Sequence, residues 1–238
     1  MFVIYFFLFI FPLTSGLLFL VFKKTNPKHL KLTLAFSGAY LFAITVLHLI
    51  PDIYASKYNF IGIYILIGFF FQILLEFLSE GIEHGHIHIH KHSAAFPLAV
   101  IISLCVHSFL EGMPLANPKS LGTSTANSLL MGIILHHIPV AFALMSMLGG
   151  SGIKKQNSIL LLALFAAMAP LGTLTSNFLG SNMTENLALY FDKIMAIVIG
   201  IFLHISTTIL FESSEEHRFN LYKFITILIG AGIALITI

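Results

Sequence analysis

Long runs of apolar residues alternate with short polar breaks along the whole chain. The runs predict eight helices, which cover about 2–22, 32–53, 60–79, 95–116, 124–149, 157–179, 187–211 and 221–238. Each run is close to the roughly 20 residues that a helix needs to cross the hydrocarbon of a bilayer. Because backbone groups in lipid must be hydrogen-bonded internally, continuous runs of this length predict spanning helices and not the alternating strands of a barrel.

The polar breaks between these runs carry loop chemistry, as in Lys23-Lys24-Thr25-Asn26-Pro27 and Gly149-Gly150-Ser151-Gly152. None of them is long enough to hold a soluble domain. We therefore predict an all-α, polytopic membrane protein in which residues 1–238 form a single transmembrane domain. The break at 80–94 is rich in histidine, and we treat it as a separate candidate feature.

Composition strengthens the membrane assignment. The chain is 58% hydrophobic and 9% charged, with a mean hydropathy of +0.96, whereas soluble domains carry roughly 25% charged residues. The net charge of +2 comes without a basic patch, so we expect no nucleic-acid partner. The single cysteine, Cys105, excludes an internal disulfide and a thiolate metal cluster.

Basic residues are distributed unequally between the two sides of the predicted bundle. The connections after helices 1, 3, 5 and 7 hold nine of them: Lys23, Lys24, Lys28, Lys31, Lys91, Lys154, Lys155, Arg218 and Lys223. The opposite side holds three: Lys57, Lys119 and Lys193. The positive-inside rule then predicts that both termini lie outside and that the His-rich loop lies in the cytoplasm. We expect a multi-pass protein of the plasma or inner membrane. No basic residue precedes the first run, so we interpret it as a retained helix and not as a signal peptide.

A short internal similarity links helices 2 and 7. Gly38-Ala-Tyr-Leu-Phe-Ala-Ile-Thr45 aligns with Gly200-Ile-Phe-Leu-His-Ile-Ser-Thr207. Helices five apart along the chain cross the membrane in opposite directions. A true repeat between them would therefore be inverted, as in many secondary transporters, and chance identity is the alternative.

The candidate chemistry lies in helices 4 and 5. His107 and Glu111 are four residues apart, which places them on one face of a helix where they can ligate one cation. Pro114, close to Gly112, weakens the local hydrogen-bond ladder. Helix 5 contains His136-His137-Ile138-Pro139, in which we expect one histidine to face helix 4 and the other to face elsewhere. A His/Glu/His set suits Zn²⁺, which accepts nitrogen and oxygen ligands; inter-helix hydrogen bonding is the alternative.

Other polar residues are weaker candidates for a metal pathway or an accessory site. The loop histidines can bind borderline divalent metals as a flexible tract, or they can simply be solvated. His48 and Asp52 close helix 2 on the outer side, Glu76 ends helix 3 on the inner side, and His204 lies within helix 7. The complete set is His48, Asp52, Glu76, His84, His86, His88, His90, His92 and His204.

At these motifs the chain resembles the ZIP (Zrt-, Irt-like) family of metal-ion transporters over nearly its whole length. Leu47-His48-Leu49-Ile50-Pro51-Asp52 resembles the family's helix 2 ending. His107-Ser-Phe-Leu-Glu111-Gly112 is similar to the helix 4 signature HN-x-x-EG, and His136-His137-Ile138-Pro139 is similar to the helix 5 signature H-x-x-P. Ala169-Pro170-Leu171-Gly172 matches a common helix 6 segment.

The resemblance implies a 3+2+3 helix bundle that binds metal between helices 4 and 5 and moves it toward the cytoplasm. It implies that His107, Glu111 and His136 are primary ligands, and that Ser108 and His137 lie where many members ligate a second ion. Many members also have a glutamate directly after the proline, bridging two ions. This chain has Val140, which cannot ligate, so one-ion and two-ion sites both stay open.

We expect Zn²⁺ as the transported substrate, with Fe²⁺, Mn²⁺ and Cd²⁺ as alternatives, no organic cofactor, and a second copy of the chain as the candidate protein partner. Two other functions compete. A diffusion-facilitator exporter also uses a His-rich loop but has six spans and a soluble tail. A membrane metalloenzyme would use clustered histidines, but no H-E-x-x-H occurs in the chain. We therefore predict a transporter and not an enzyme.

Overall fold

The structure is a computed structural model that describes residues 1–22, 27–56, 58–79, 81–82, 95–117, 121–181, 187–212 and 220–237. These residues form helices and no strand, which confirms the all-α class. The helices are α1 (Phe2–Phe22), α2 (Pro27–Ile44, Thr45–Leu49 and Ile50–Tyr54 in succession), α3 (Ile61–Ser79), α4 (Ala95–Gly112, continued by Met113–Ala116), α5 (Thr123–Gly150), α6 (Lys155–Ser181), α7 (Leu187–Glu212) and α8 (Leu221–Ile236). In this part of the chain seven helices are long and apolar enough to cross a bilayer, and α8 is a shorter apolar helix of 16 residues.

Two helix ends differ from the expected ones, and both differences involve proline. Helix α2 begins at Pro27 and not near residue 32. Proline is well suited to a first helical turn, and the polar turn that follows carries no hydrophobic signal. The α-helical part of α4 ends at Gly112, and Met113–Ala116 continues as a tighter 3₁₀ turn. Pro114 cannot donate the hydrogen bond that would extend the α-helix.

Helix α2 contains a wide turn that the sequence pattern did not predict. Thr45–Leu49 is π-helical, and the backbone N–H of Ile50 donates to the carbonyl of Thr45. The wide turn comes directly before Pro51, which has no N–H to donate. The helix therefore crosses the proline with a local change of pitch instead of ending there.

Glycines allow pairs of helices to approach until their backbones touch. A Cβ on Gly112 would collide with the carbonyl oxygen of Ala169, and a Cβ on Gly172 would collide with that of Phe109. These contacts join α4 and α6. Gly68 and Gly200 make the same kind of reciprocal contact between α3 and α7. Small residues at such crossings are the usual means of packing helices in lipid, where no hydrophobic effect drives them together.

The contacts between helices show an internal symmetry. It appears when α1, α2 and α3 change places with α6, α7 and α8, and α4 changes places with α5. The α3–α7 contact then becomes the α8–α2 contact, and α1–α5 becomes α6–α4. Hydroxyl contacts follow the same exchange: Ser103 donates to the carbonyl of Leu75 at 2.6 Å, and Ser128 donates to that of Thr237 at 2.9 Å. This is the arrangement expected of two three-helix repeats that flank a central pair.

Burial differs greatly between the helices and places α5 at the centre of the bundle. In α5, 72% of the 18-residue apolar stretch is buried, whereas the corresponding stretches of α1 and α3 are each 22% buried. The outer helices present large apolar side chains such as Phe70 and Phe77 on their exposed surfaces. Such surfaces are suited to lipid. Polar residues of α4 and α5 are therefore enclosed by the other helices.

Candidate metal site

Helix α4 contributes a histidine and a glutamate that are both completely buried. His107 Nε2 lies 3.3 Å from Glu111 Oε1, and neither side chain is exposed. The spacing of four residues places them one above the other on the face of α4. A carboxylate at this depth costs several kcal/mol unless a cation or a hydrogen-bond donor accompanies it. Its surroundings therefore determine what the site can bind.

Helix α5 places both of its adjacent histidines beside that carboxylate. His137 Nε2 lies 2.6 Å from Glu111 Oε2, and the ring centroid of His136 lies 5.8 Å from that of His107. The expectation that one of these histidines faces away from α4 was wrong. Adjacent residues differ by about 100° around a helix, and two long side chains that straddle the contact line can turn toward the same point.

Three ligand-type side chains meet at one place. One nitrogen each of His107 and His136 and one oxygen of Glu111 all lie within 4.8 Å of one another, and all three residues are buried. Within the described residues this is the one such grouping of histidine, cysteine, aspartate or glutamate. We call His107, Glu111 and His136 the central cluster. Two imidazole nitrogens and a carboxylate oxygen form a donor set that suits Zn²⁺ and leaves room for a further ligand.

Neighbouring helices hold the two helices of the central cluster at their proline turns. Thr173 of α6 donates its hydroxyl to the carbonyl of Gly112 at 2.7 Å. Ser15 of α1 donates to the carbonyl of Ile138, next to Pro139, at 2.6 Å. Hydroxyls that satisfy carbonyls near a proline let a helix keep an irregular turn inside lipid. The cluster is therefore built on supported backbone.

The remaining positions singled out on α4 and α5 are also buried. Ser108 is 1% exposed, and its hydroxyl oxygen has no hydrogen-bond partner among the described residues. Val140 is fully buried in a hydrophobic cluster. The ring of Phe165 lies 5.5 Å from that of His137, centroid to centroid. Apolar side chains therefore pack beside His137 and around Val140 on α5.

One polar residue near the central cluster was missed at the level of sequence. Gln72 of α3 is completely buried, and its Oε1 lies 3.2 Å from Nδ1 of His107. The available signal was an amide in the middle of Phe69-Phe-Phe-Gln72-Ile-Leu-Leu, an otherwise apolar run. Such a residue is expensive in lipid and usually faces the interior of the bundle.

The other sequence candidates within the described residues do not belong to the central cluster. Glu76 of α3 and His204 of α7, which we call the peripheral pair, approach to 3.3 Å. Asp52 lines a cleft of about 400 Å³ together with Thr125 and Asp192, and His48 is half-buried in the π turn of α2. His84, His86, His88, His90 and His92 lie outside the described residues.

These observations define a multi-pass, all-α membrane protein with a buried His/Glu cluster between α4 and α5. A family model described as ZIP Zinc transporter matches residues 79–237, well over half of the chain. The chain therefore belongs to the ZIP zinc transporter family. That match confirms the resemblance identified from the motifs, and it favours neither the diffusion-facilitator alternative nor the membrane enzyme.

Individual relatives carry the same family name. The chain is 27% identical over 146 residues to Zinc transporter ZIP9-B of Xenopus laevis, covering 57% of this chain and 45% of the relative. It is 29% identical over 133 residues to Zinc transporter ZIP9 of Micropogonias undulatus, covering 54% and 42%. Zinc transporter ZIP1 of Danio rerio is 30% identical over 94 residues, covering 38% and 29%. The chain spans less than half the length of each of these curated relatives.

Proposed function

We propose that this protein moves a divalent metal ion, with Zn²⁺ as the expected cargo, across its membrane toward the cytoplasm through the central cluster. The observation that carries the proposal is the convergence of His107, Glu111 and His136 within 4.8 Å at complete burial. Three buried donors of this type stabilise a cation that has lost most of its water. The family membership and the names of the relatives support the same function.

The donor set supports at least one ion. His137, which already contacts Glu111 at 2.6 Å, is available as a further nitrogen ligand, and the buried hydroxyl of Ser108 is the second accessory candidate. Val140 supplies no bridging carboxylate between two ions. A site that lacks this bridge holds its ion less tightly, and an ion that must leave again requires such moderate binding.

The route to and from the central cluster is part of the proposal. On the outer side, the cleft between α2, α5 and α7 carries Asp52 and Asp192, whose carboxylates attract cations. On the inner side, the peripheral pair of Glu76 and His204 lies toward the end of α3 that precedes the His-rich loop. We take residues 1–238 as one transmembrane domain that contains the whole route, and a second copy of the chain as a candidate partner.

The orientation rests on the excess of basic residues in one set of connections, nine against three. Both termini then lie outside and the His-rich loop lies in the cytoplasm. A cysteine introduced at Lys57 should react with a membrane-impermeant reagent added to intact cells, in a background where Cys105 is serine. A cysteine at His88 should react only after permeabilisation. The reverse pattern would overturn the orientation and the direction of transport inferred from it.

The function is tested with purified protein in liposomes that contain a fluorescent zinc indicator. We expect zinc uptake by the natural protein and uptake at the level of empty liposomes for Glu111→Gln and for His136→Ala. Glutamine keeps the shape of Glu111 and removes its charge, so the loss reports coordination and not packing. Elution volume and thermal unfolding show whether each variant is folded. Uptake at the natural rate by a folded Glu111→Gln protein would refute the proposal.

A further inference from the structure

Gln72 approaches the central cluster from a third helix, α3. Its Oε1 lies 3.2 Å from His107 Nδ1, and the other ring nitrogen, Nε2, lies 3.3 Å from Glu111 Oε1. The amide and the imidazole are both completely buried. The two nitrogens of His107 therefore face two different chemical partners, an amide on α3 and the carboxylate of the cluster.

This arrangement bears on which nitrogen of His107 can bind a metal. A neutral imidazole has one N–H and one lone pair, and the partner of one nitrogen decides the role of the other. An amide oxygen only accepts hydrogen bonds, so Oε1 beside Nδ1 favours the proton on Nδ1. Glu111 is also an acceptor, so the lone pair is on Nε2 when a cation lies between that nitrogen and the carboxylate.

We propose that Gln72 is a positioning residue for the metal site, which holds His107 in the tautomer and ring orientation in which Nε2 binds the transported ion. The inference rests on the proposed function, because it concerns an ion at the central cluster. Histidines that ligate metals almost always donate their second N–H to an oxygen acceptor, and removing that acceptor costs about 10–100-fold in metal affinity.

A purely structural role for Gln72 can be separated from this one, because α3 is held by other contacts. Ser103 of α4 donates its hydroxyl to the carbonyl of Leu75 at 2.6 Å, next to Gln72 along α3. On the other side, Gly68 and Gly200 lock α3 against α7. Ser103→Ala therefore removes a hydrogen bond between the same two helices without touching His107, and it serves as the matched control.

The test measures zinc affinity by competition with a chromophoric chelator, in protein whose five loop histidines are replaced by serine. Gln72→Met keeps the length of the side chain and removes the amide, and we expect it to weaken zinc binding about 10–100-fold. Gln72→Glu keeps an oxygen acceptor and should retain the affinity. Ser103→Ala should also retain it.

A spectroscopic readout follows the tautomer directly. In ¹⁵N-histidine-labelled, zinc-loaded protein, the resonances lost in His107→Ala identify His107. We expect them to report an Nδ1–H, Nε2-bound ring, and to shift or split in Gln72→Met. Equal weakening by Gln72→Met and Ser103→Ala, or an unchanged His107 tautomer in Gln72→Met, would overturn the inference. If Gln72→Met bound zinc as tightly as the parent protein, this inference alone would fail. If the parent protein bound no zinc, the proposed function would fail as well.

Discussion

Two His–Glu contacts in this bundle have the same separation and different surroundings. His107 and Glu111 of the central cluster approach to 3.3 Å, and so do His204 and Glu76 of the peripheral pair. The side chains of the first pair are 0% exposed, whereas those of His204 and Glu76 are 10% and 22% exposed. Distance alone therefore does not distinguish a candidate metal site from a partly exposed His–Glu contact.

The neighbours make the difference. At the central cluster α5 brings two further imidazoles, and α3 brings an amide. At the peripheral pair the ring of Phe69 packs edge-on against His204, with centroids 5.1 Å apart. Among the described residues, a third ligand-type side chain joins a pair only at the centre. A carboxylate that is fully desolvated there depends on positive or donor partners far more than one that water can reach.

The largest expected contrast is between Glu111→Gln and Glu76→Gln. The first should reduce zinc uptake to the level of empty liposomes, because it removes the anionic ligand of the ion. The second should change uptake by no more than about fivefold, which corresponds to ~1 kcal/mol, the upper range for a solvated charge contact. The measurement is the initial rate of uptake at several zinc concentrations, normalised to the amount of reconstituted protein.

Equal losses in these two variants would remove the distinction between the central cluster and the peripheral pair. Glu76 would then be as much a part of the transport pathway as Glu111. A loss in Glu76→Gln that disappears at saturating zinc would instead sharpen the comparison, since it would assign the pair to capture or release of the ion and not to the transport step.

A smaller contrast involves the glycine crossings beside the two pairs. Gly112→Ala and Gly200→Ala both force a Cβ into a backbone carbonyl of the neighbouring helix. We expect each to reduce the free energy of unfolding by about 1–3 kcal/mol, the usual cost of overpacking. Gly112→Ala should weaken zinc binding more, because Gly112 directly follows Glu111 and its displacement moves the carboxylate itself, whereas Gly200→Ala reaches the cluster only through Gln72 of α3.

These expectations are checked by thermal unfolding in detergent and by chelator competition on the same samples. If Gly200→Ala lowered zinc affinity as much as Gly112→Ala, the crossing of α3 and α7 would be coupled to the central cluster. The two regions could then no longer be treated as independent. Similar unfolding temperatures with different affinities would support their separation.

Local patterns predicted most of the architecture. Apolar runs predicted the helices to within a few residues. The spacing of four between His107 and Glu111 predicted their contact. Each of these predictions depends only on the geometry of a single helix. The motifs on α4 and α5 also predicted the family. What these signals share is that each one lies within a single stretch of chain.

Most of the features that the sequence did not predict depend on contacts between distant segments. Gln72 meets His107 across 35 residues of chain, and the convergence of both His136 and His137 depends on how α5 is turned against α4. The π turn at Thr45–Leu49 is the exception, because it is a local feature of α2. Helix periodicity gives the face on which a residue lies and leaves open which neighbour that face meets.

The smallest expected effect concerns the His-rich loop, which follows Glu76 of the peripheral pair along the chain. Replacing His84, His86, His88, His90 and His92 by serine should leave the maximal rate of zinc uptake largely unchanged, because alternating histidines impose no fixed coordination geometry. Their imidazoles lie beyond the predicted spans, and in the proposed direction of transport they would meet ions only after the central cluster. The quantity that we expect to change is the apparent affinity of the protein for zinc at its cytoplasmic face. Equilibrium dialysis should accordingly detect fewer weakly bound ions in the serine variant, with the tight ion retained. Abolished uptake by a folded serine variant would instead make the loop the transport site, and it would do so while leaving every contact of the central cluster in place.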